Sequence, residues 1–112
     1  MAKYWDPLRK AYVEATPEEK VRQWFIERLH QDYGIPYHRM NSEVSLKFGS
    51  KPFRADIVVF DQNGNPEIIV ECKRPEVPLT EEVLRQAQRY SAVLPARSFI
   101  LTNGLETKRF DK

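Results

Sequence analysis

Three residues have the types and spacing for phosphodiester chemistry: Asp56, Glu71 and Lys73. Glu71 and Lys73 lie two apart in the run Glu67-Ile68-Ile69-Val70-Glu71-Cys72-Lys73. In an extended chain, side chains two apart leave the same face. A second apolar run, Phe53-Arg54-Ala55-Asp56-Ile57-Val58-Val59-Phe60, carries Asp56. Charges set in such strands are costly unless they reach water, pair or bind a cation. Two adjacent carboxylates attract a hard divalent cation. Such a cation holds a phosphate oxygen and lowers the pKa of a bound water. A lysine alongside can orient that water or stabilise the charge that builds on the phosphate. The plainer reading is a set of cross-strand charge pairs, each contributing roughly a few tenths of a kcal/mol. The spacing itself recurs by chance, so the weight falls on the elements that carry it.

Those elements can be read along the chain. Asp61-Gln62-Asn63-Gly64-Asn65 separates the two apolar runs, and Asn-Gly accepts positive φ, which predicts a hairpin. With Asn63-Gly64 as the turn centre, Asp56 falls opposite Glu71. Cys72 then points to the other, packed face, as a small core residue and not a nucleophile. Upstream, Thr16, Pro17 and Glu19 form a helix start of the capping-box type. Val21, Trp24, Phe25 and Leu29 draw one helical stripe, ending near Tyr33-Gly34. Val44, Leu46 and Phe48 alternate with polar residues, predicting a strand over about 42–48. Thr80 caps a second helix through Val83, Leu84, Ala87 and Tyr90 to about Leu94-Pro95. A fourth strand covers 97–102, Asn103-Gly104 turns, and 107–110 starts a further strand. Residues 1–15 read as an arm or short strand. The order is α-β-β-β-α-β, and the helix between the third and fourth strands implies a parallel crossover. The expected class is α/β, a mixed β-sheet flanked by helices.

A chain of 112 residues, 41% hydrophobic and 30% charged, fits a single domain over 1–112 with its core in 16–110. No apolar run approaches the roughly 18 residues of a membrane span, and the first residues lack a signal-peptide core. The single cysteine rules out an internal disulfide, and a cytoplasmic location is the expectation. A net charge of +2 is too small to argue nucleic-acid binding by itself. His30 and His38 lack metal-ligand spacing and read as surface residues. Arg54 shares a strand face with Asp56, where it can bind phosphate or pair with the carboxylates. Lys51, Arg74, Arg85 and Arg89 are either phosphate contacts or ordinary solvated charges.

Arg54-Ala55-Asp56-Ile57-Val58-Val59-Phe60 followed by Ile69-Val70-Glu71-Cys72-Lys73-Arg74-Pro75 resembles the PD-(D/E)xK nucleases. Within them, the chain is most similar to the N-terminal nuclease domain of type I restriction enzyme R (motor) subunits. Pro17-Glu18-Glu19-Lys20-Val21-Arg22-Gln23, Gln86-Ala87-Gln88-Arg89-Tyr90 and Thr102-Asn103-Gly104 add to the likeness. The second of these resembles the QxxxY motif of the RecB-like branch. Ala55 stands where the nominal motif has proline. The resemblance implies a restriction-endonuclease-like fold and magnesium-dependent cleavage of DNA, with manganese able to substitute. Asp56 and Glu71 would be the metal ligands and Lys73 the catalytic lysine. Gln86 and Tyr90 would lie near the site, contacting DNA or orienting the lysine; otherwise Tyr90 is core and Gln86 solvated. An additional helix glutamate is expected, Glu19 in preference to Glu18, although Glu19 also satisfies the capping box. Implied partners are DNA and the motor and specificity or methylation subunits of a restriction system. A homodimer would suit double-strand cleavage. A catalytically silent module of the same fold, binding nucleic acid or a partner subunit, is the alternative.

Overall fold

The computed structural model describes residues 2–112, without the Phe48 side chain, so the expected packing of Phe48 lies outside the described residues. A hairpin of β1 (Lys3–Asp6) and β2 (Ala11–Glu14) leads into α1 (Pro17–Tyr33). A 3-10 turn over Tyr37–Arg39 precedes β3 (Met40–Phe48), β4 (Lys51–Phe60) and β5 (Pro66–Cys72), which pair antiparallel. The chain then passes through α2 (Glu81–Val93) to β6 (Ser98–Thr102), which lies parallel to β5. β7 (Thr107–Asp111) returns antiparallel to β6. The five strands run β3-β4-β5-β6-β7 across a mixed sheet. The crossover is therefore as expected. The segment expected as an arm or short strand differs: residues 3–14 form a closed hairpin, because Lys3 to Asp6 pairs rung by rung with Ala11 to Glu14.

The start of α1 explains later features of the site. Thr16 Oγ1 accepts from the Glu19 amide at 3.1 Å, as the cap predicts. The reciprocal half of the box is not made, because the Thr16 amide donates to Glu14 O at 2.9 Å. The Glu19 carboxylate is thus free to bond elsewhere. Gly34 ends the helix at φ 68°, a left-handed conformation that a Cβ would strain. The buried stripe is Val21, Phe25, Ile26 and Leu29, with Arg22 among them. Trp24 was expected on that stripe but is 42% exposed. It falls about 100° around the helix from Phe25, on the side away from Ile26.

The sheet has a core on each face. Ile57, Val59, Val70, Cys72 and Ile100 pack against α1. Ala55, Val58, Ile69, Phe99 and Leu101 pack with Ala87 and Leu94 on the α2 side. Strands buried on both faces read as continuous apolar runs, which is why β4 and β5 show little alternation.

The β4–β5 turn differs from the expected two-residue form. Asp61 organises a longer loop: its amide donates to Asn65 O at 2.8 Å, and its Oδ1 accepts from the amides of Asn63 and Asn65, both at 2.9 Å. Val59 pairs with Ile68, but Phe60 pairs with Pro66, so Glu67 is an extra, bulged residue. Arg39 fastens this bulge, donating to Phe60 O at 2.9 Å and to the Glu67 carboxylate at 3.0 Å.

Candidate active site where two strands part

Beyond the bulge, the ladder pairs Ile57 with Val70. One further step in that register sets Asp56 opposite Glu71, as the sequence predicted. The regular ladder stops there, and the Asp56 carboxylate takes over: Oδ2 accepts from the Cys72 amide at 2.7 Å. Ala55 packs on the α2 side, yet Ile57, two residues on, packs on the α1 side. Strict alternation would put both on one face. The chain therefore changes face at Asp56, and this local break holds its carboxylate between the two cores.

Lys73 follows β5 directly, its amide donating to Thr102 O at 2.8 Å. Its ammonium lies 2.9 Å from Glu71 Oε2. Both side chains line a cavity of about 310 Å³ together with Gln86, Tyr90, Arg89 and Leu101. The four-residue spacing of Gln86 and Tyr90 puts both on the face of α2 that covers the Glu71–Lys73 pair. The Tyr90 ring also packs on Phe53, with centroids 4.7 Å apart, so it is both wall and core. Gln86 is bonded by Arg89. Cys72 is 2% exposed in the α1-side core, in the packing role its position in the strand predicted.

On the other side of Asp56 lies a network of alternating charge. Arg22 is 6% exposed and reaches Asp56 Oδ1 and Glu43 Oε1, each at 3.2 Å. Arg54 pairs at 2.6 Å with Glu43, which was not among the carboxylates it was expected to join. Arg9, from the N-terminal hairpin, bonds both oxygens of Glu19 at 2.9 Å and also bonds Asp6. Gln23 adds a bond to Glu19 at 3.0 Å. Glu19 was favoured as the additional site carboxylate. Its side chain is buried and bonded to Arg9, for which the half-made capping box leaves it free, and it lies 3.8 Å from Arg22, the partner of Asp56. The charge of Glu18 acts on both Asp56 and Lys73.

Electrostatics follow from these positions. Burial pushes Asp56 up to about 6, and the charges of Glu18 and Glu71 add to the rise. The Cys72 amide and Arg22 act in the opposite direction. Burial alone would lower Lys73, but the bond to Glu71 and the charges of Asp56 and Glu18 outweigh it and hold the ammonium above its ordinary range. His30 and His38 stand apart from the site; His30 Nδ1 lies 2.8 Å from Ile35 O.

Residues 17–112 match the family described as the type I restriction enzyme R protein N terminus. The chain belongs to this family. Among solved structures, a protein from Anabaena variabilis ATCC 29413, described as a candidate nuclease of the DUF820 group, is similar in fold. The TM-score is 0.50 at 14% identity, over 99% of this chain and 77% of that one. No curated protein matches the chain. The fold class expected from the sequence, a restriction-endonuclease-like mixed sheet with helices, is thus the one observed.

For this R-protein N-terminal domain, the donor set can be tested against a metal. Among the described residues no cluster of three His, Cys, Asp or Glu side chains is arranged for one. Magnesium, however, keeps several waters and commonly takes only one or two carboxylates. Asp56 and Glu71 supply hard oxygen donors, and their mutual repulsion with Glu18 is what a cation relieves. The residues present fit. No described helix is long and apolar enough to cross a membrane.

Sequence reasoning missed Arg22 and Glu43. Arg22 had a readable signal, a charge falling within an apolar helical stripe. Glu43 had none: it matters because the backbone there takes φ 53°, rare outside glycine, opposite Asp56.

Proposed function

We propose that this domain is a metal-dependent endonuclease domain that hydrolyses DNA phosphodiester bonds within a type I restriction system. The observation that carries the reading is the convergence of Asp56, Glu71 and Lys73 where β4 leaves β5, beside a cavity walled by Gln86 and Tyr90. Membership of the R-protein N-terminal family supports it. Asp56 and Glu71 would hold magnesium, or manganese in its place, which when bound polarises the phosphate and makes a bound water more acidic. Lys73, held as an ammonium by Glu71 in this arrangement, would serve as a positive charge beside the phosphate oxygens. The Cys72 amide and Arg22 fix the orientation of Asp56. Gln86 presents a polar group to the cavity, and Tyr90 braces its wall. Glu18, more than Glu19, suits the role of the extra acidic group. Arg54, Arg74 and Arg89 are exposed cations suited to the DNA backbone. Motor and specificity or methylation subunits would choose the DNA, and two such domains would cut the two strands.

The test is cleavage of supercoiled plasmid with Mg²⁺ or Mn²⁺, against an EDTA control and a Lys73→Ala variant. Metal-dependent nicking that falls at least a hundredfold in the variant supports hydrolysis by this site. Equal nicking by both proteins overturns it.

A silent module of the same fold is the second reading. It is favoured by one observation: both carboxylates already have cationic partners, Arg22 and Lys73. In that case Mn²⁺ titrations would show no binding that depends on Asp56.

A further inference from the structure

Asn103 is 2% exposed; its amide donates to Glu106 O at 3.1 Å, and its side chain makes three further bonds, none of them to the cavity. Its Oδ1 accepts from the amides of Leu105 and Glu106 at 2.9 and 2.8 Å, which closes the β6–β7 turn. Its Nδ2 reaches in the other direction, donating to Val77 O at 2.8 Å. Val77 lies in the connection between Lys73 and α2, where its amide also donates to Arg74 O at 3.0 Å. That connection starts from the rung between the Lys73 amide and Thr102 O, and it ends at Thr80, whose Oγ1 caps α2 through the Val83 amide at 3.3 Å. The turn side is equally constrained. Gly104 takes φ 88°, and a Cβ there would come within 3.3 Å of Val21 Cγ2 on α1.

The connection therefore has two fixed ends, with the Leu79 side chain in the α2-side core and the buried Asn103 side chain hydrogen-bonded to Val77 O between them. One end carries Lys73. The other starts the helix that brings Gln86 and Tyr90 over it. We infer that Asn103 is a positioning residue, which sets the spacing between Lys73 and the Gln86–Tyr90 wall by holding Val77 O to the β6–β7 turn. This rests on the reading of Lys73 as the catalytic lysine. It adds a requirement from a residue that does not touch the cavity. A shift of about 1 Å in a positioned group can cost on the order of a hundredfold in rate.

Asn103→Asp separates the two halves of the side chain's role. The carboxylate keeps both acceptor bonds to the turn, but it meets Val77 O with an oxygen in place of a donor. Asn103→Ala removes both halves. Each variant is compared with the parent and with Lys73→Ala, at a temperature well below its own melting point. Asn103→Asp is expected to lower kcat at least tenfold, with KM for DNA and the affinity for Mn²⁺ within about twofold of the parent. Amide exchange over residues 74–79 should quicken in the same variant while exchange at Leu105 and Glu106 does not. Unchanged kcat in Asn103→Asp, with Lys73→Ala inactive, overturns the inference and leaves the nuclease reading standing. Full activity in Lys73→Ala overturns the nuclease reading instead. Exchange over 74–79 then decides alone whether Asn103 holds the connection, and unchanged exchange overturns that too.

Discussion

Asp56 concentrates the tension of this site. Its carboxylate is raised to about 6 from an ordinary 3.8, first by burial and then by neighbouring acids. A carboxyl raised on folding binds its proton more tightly in the folded chain than in the unfolded one. The ionised form therefore costs stability: nothing below about pH 4, progressively more up to about 6, and the full amount above. The gap between 3.8 and about 6 corresponds to ~3 kcal/mol at most. Asn at this position would keep an acceptor for the Cys72 amide but turn a second donor toward Arg22. A net gain of about 1 kcal/mol is expected for Asp56→Asn without divalent cation at pH 8, shrinking to nothing near pH 4. Denaturant melts across that pH range check it. The same substitution should abolish cation binding that protects the parent from melting. Stability gained as cation affinity is lost is the signature of an acid kept for function.

At the scale of elements, the N-terminal hairpin lies outside the family match yet joins the charge network of the site. Arg9 links Asp6 in β1 to Glu19 in α1 and lies 3.6 Å from Glu43 in β3. Burial would raise Asp6, but the Leu8 amide and Arg9 outweigh it and hold the carboxyl below its ordinary value. This stability is present above the usual range near 3.8 and fades as pH falls through the lower folded value. Arg9→Met is expected to cost about 1–2 kcal/mol, since it leaves Asp6 and Glu19 short of a charged partner. Thermal melts at pH 7 measure that cost, and it should shrink when both wild type and variant are compared near pH 3. The hairpin was the least legible element in the sequence. Its alternation is weak, its aromatic residues Trp5 and Tyr12 are exposed, and its anchor is a buried acid that no periodicity marks. The helices, by contrast, declared themselves through Thr16, Gly34 and Thr80. Strands β4 and β5 did so through charges isolated in apolar runs. Glu19 was harder to read because one residue satisfied two local patterns, and its ion pair with Arg9 is marked by neither.

For the whole molecule, the sheet separates two cores, and the site lies where β4 crosses from one to the other. Ile26 seals the α1 side at 0% exposure, and Leu94 seals the α2 side at 1%. Ile26→Ala and Leu94→Ala should each cost about 2–5 kcal/mol. Because the sheet lies between them, the double variant should equal the sum within about 0.5 kcal/mol. Urea melts of the two single variants and the double variant test this additivity.

The bulge at Glu67 has a consequence for how this hairpin can evolve. The turn at Asp61 reads one register and the carboxylate pair reads another, with the offset absorbed at a single residue held by Arg39. The loop is thereby insulated from the carboxylate pair. Lineages can lengthen, shorten or redecorate residues 61–65 without rotating Asp56 away from Glu71. The tip of this hairpin is thus a place where sequence can drift, or a new contact can be added, while Asp56 and Glu71 stay aligned.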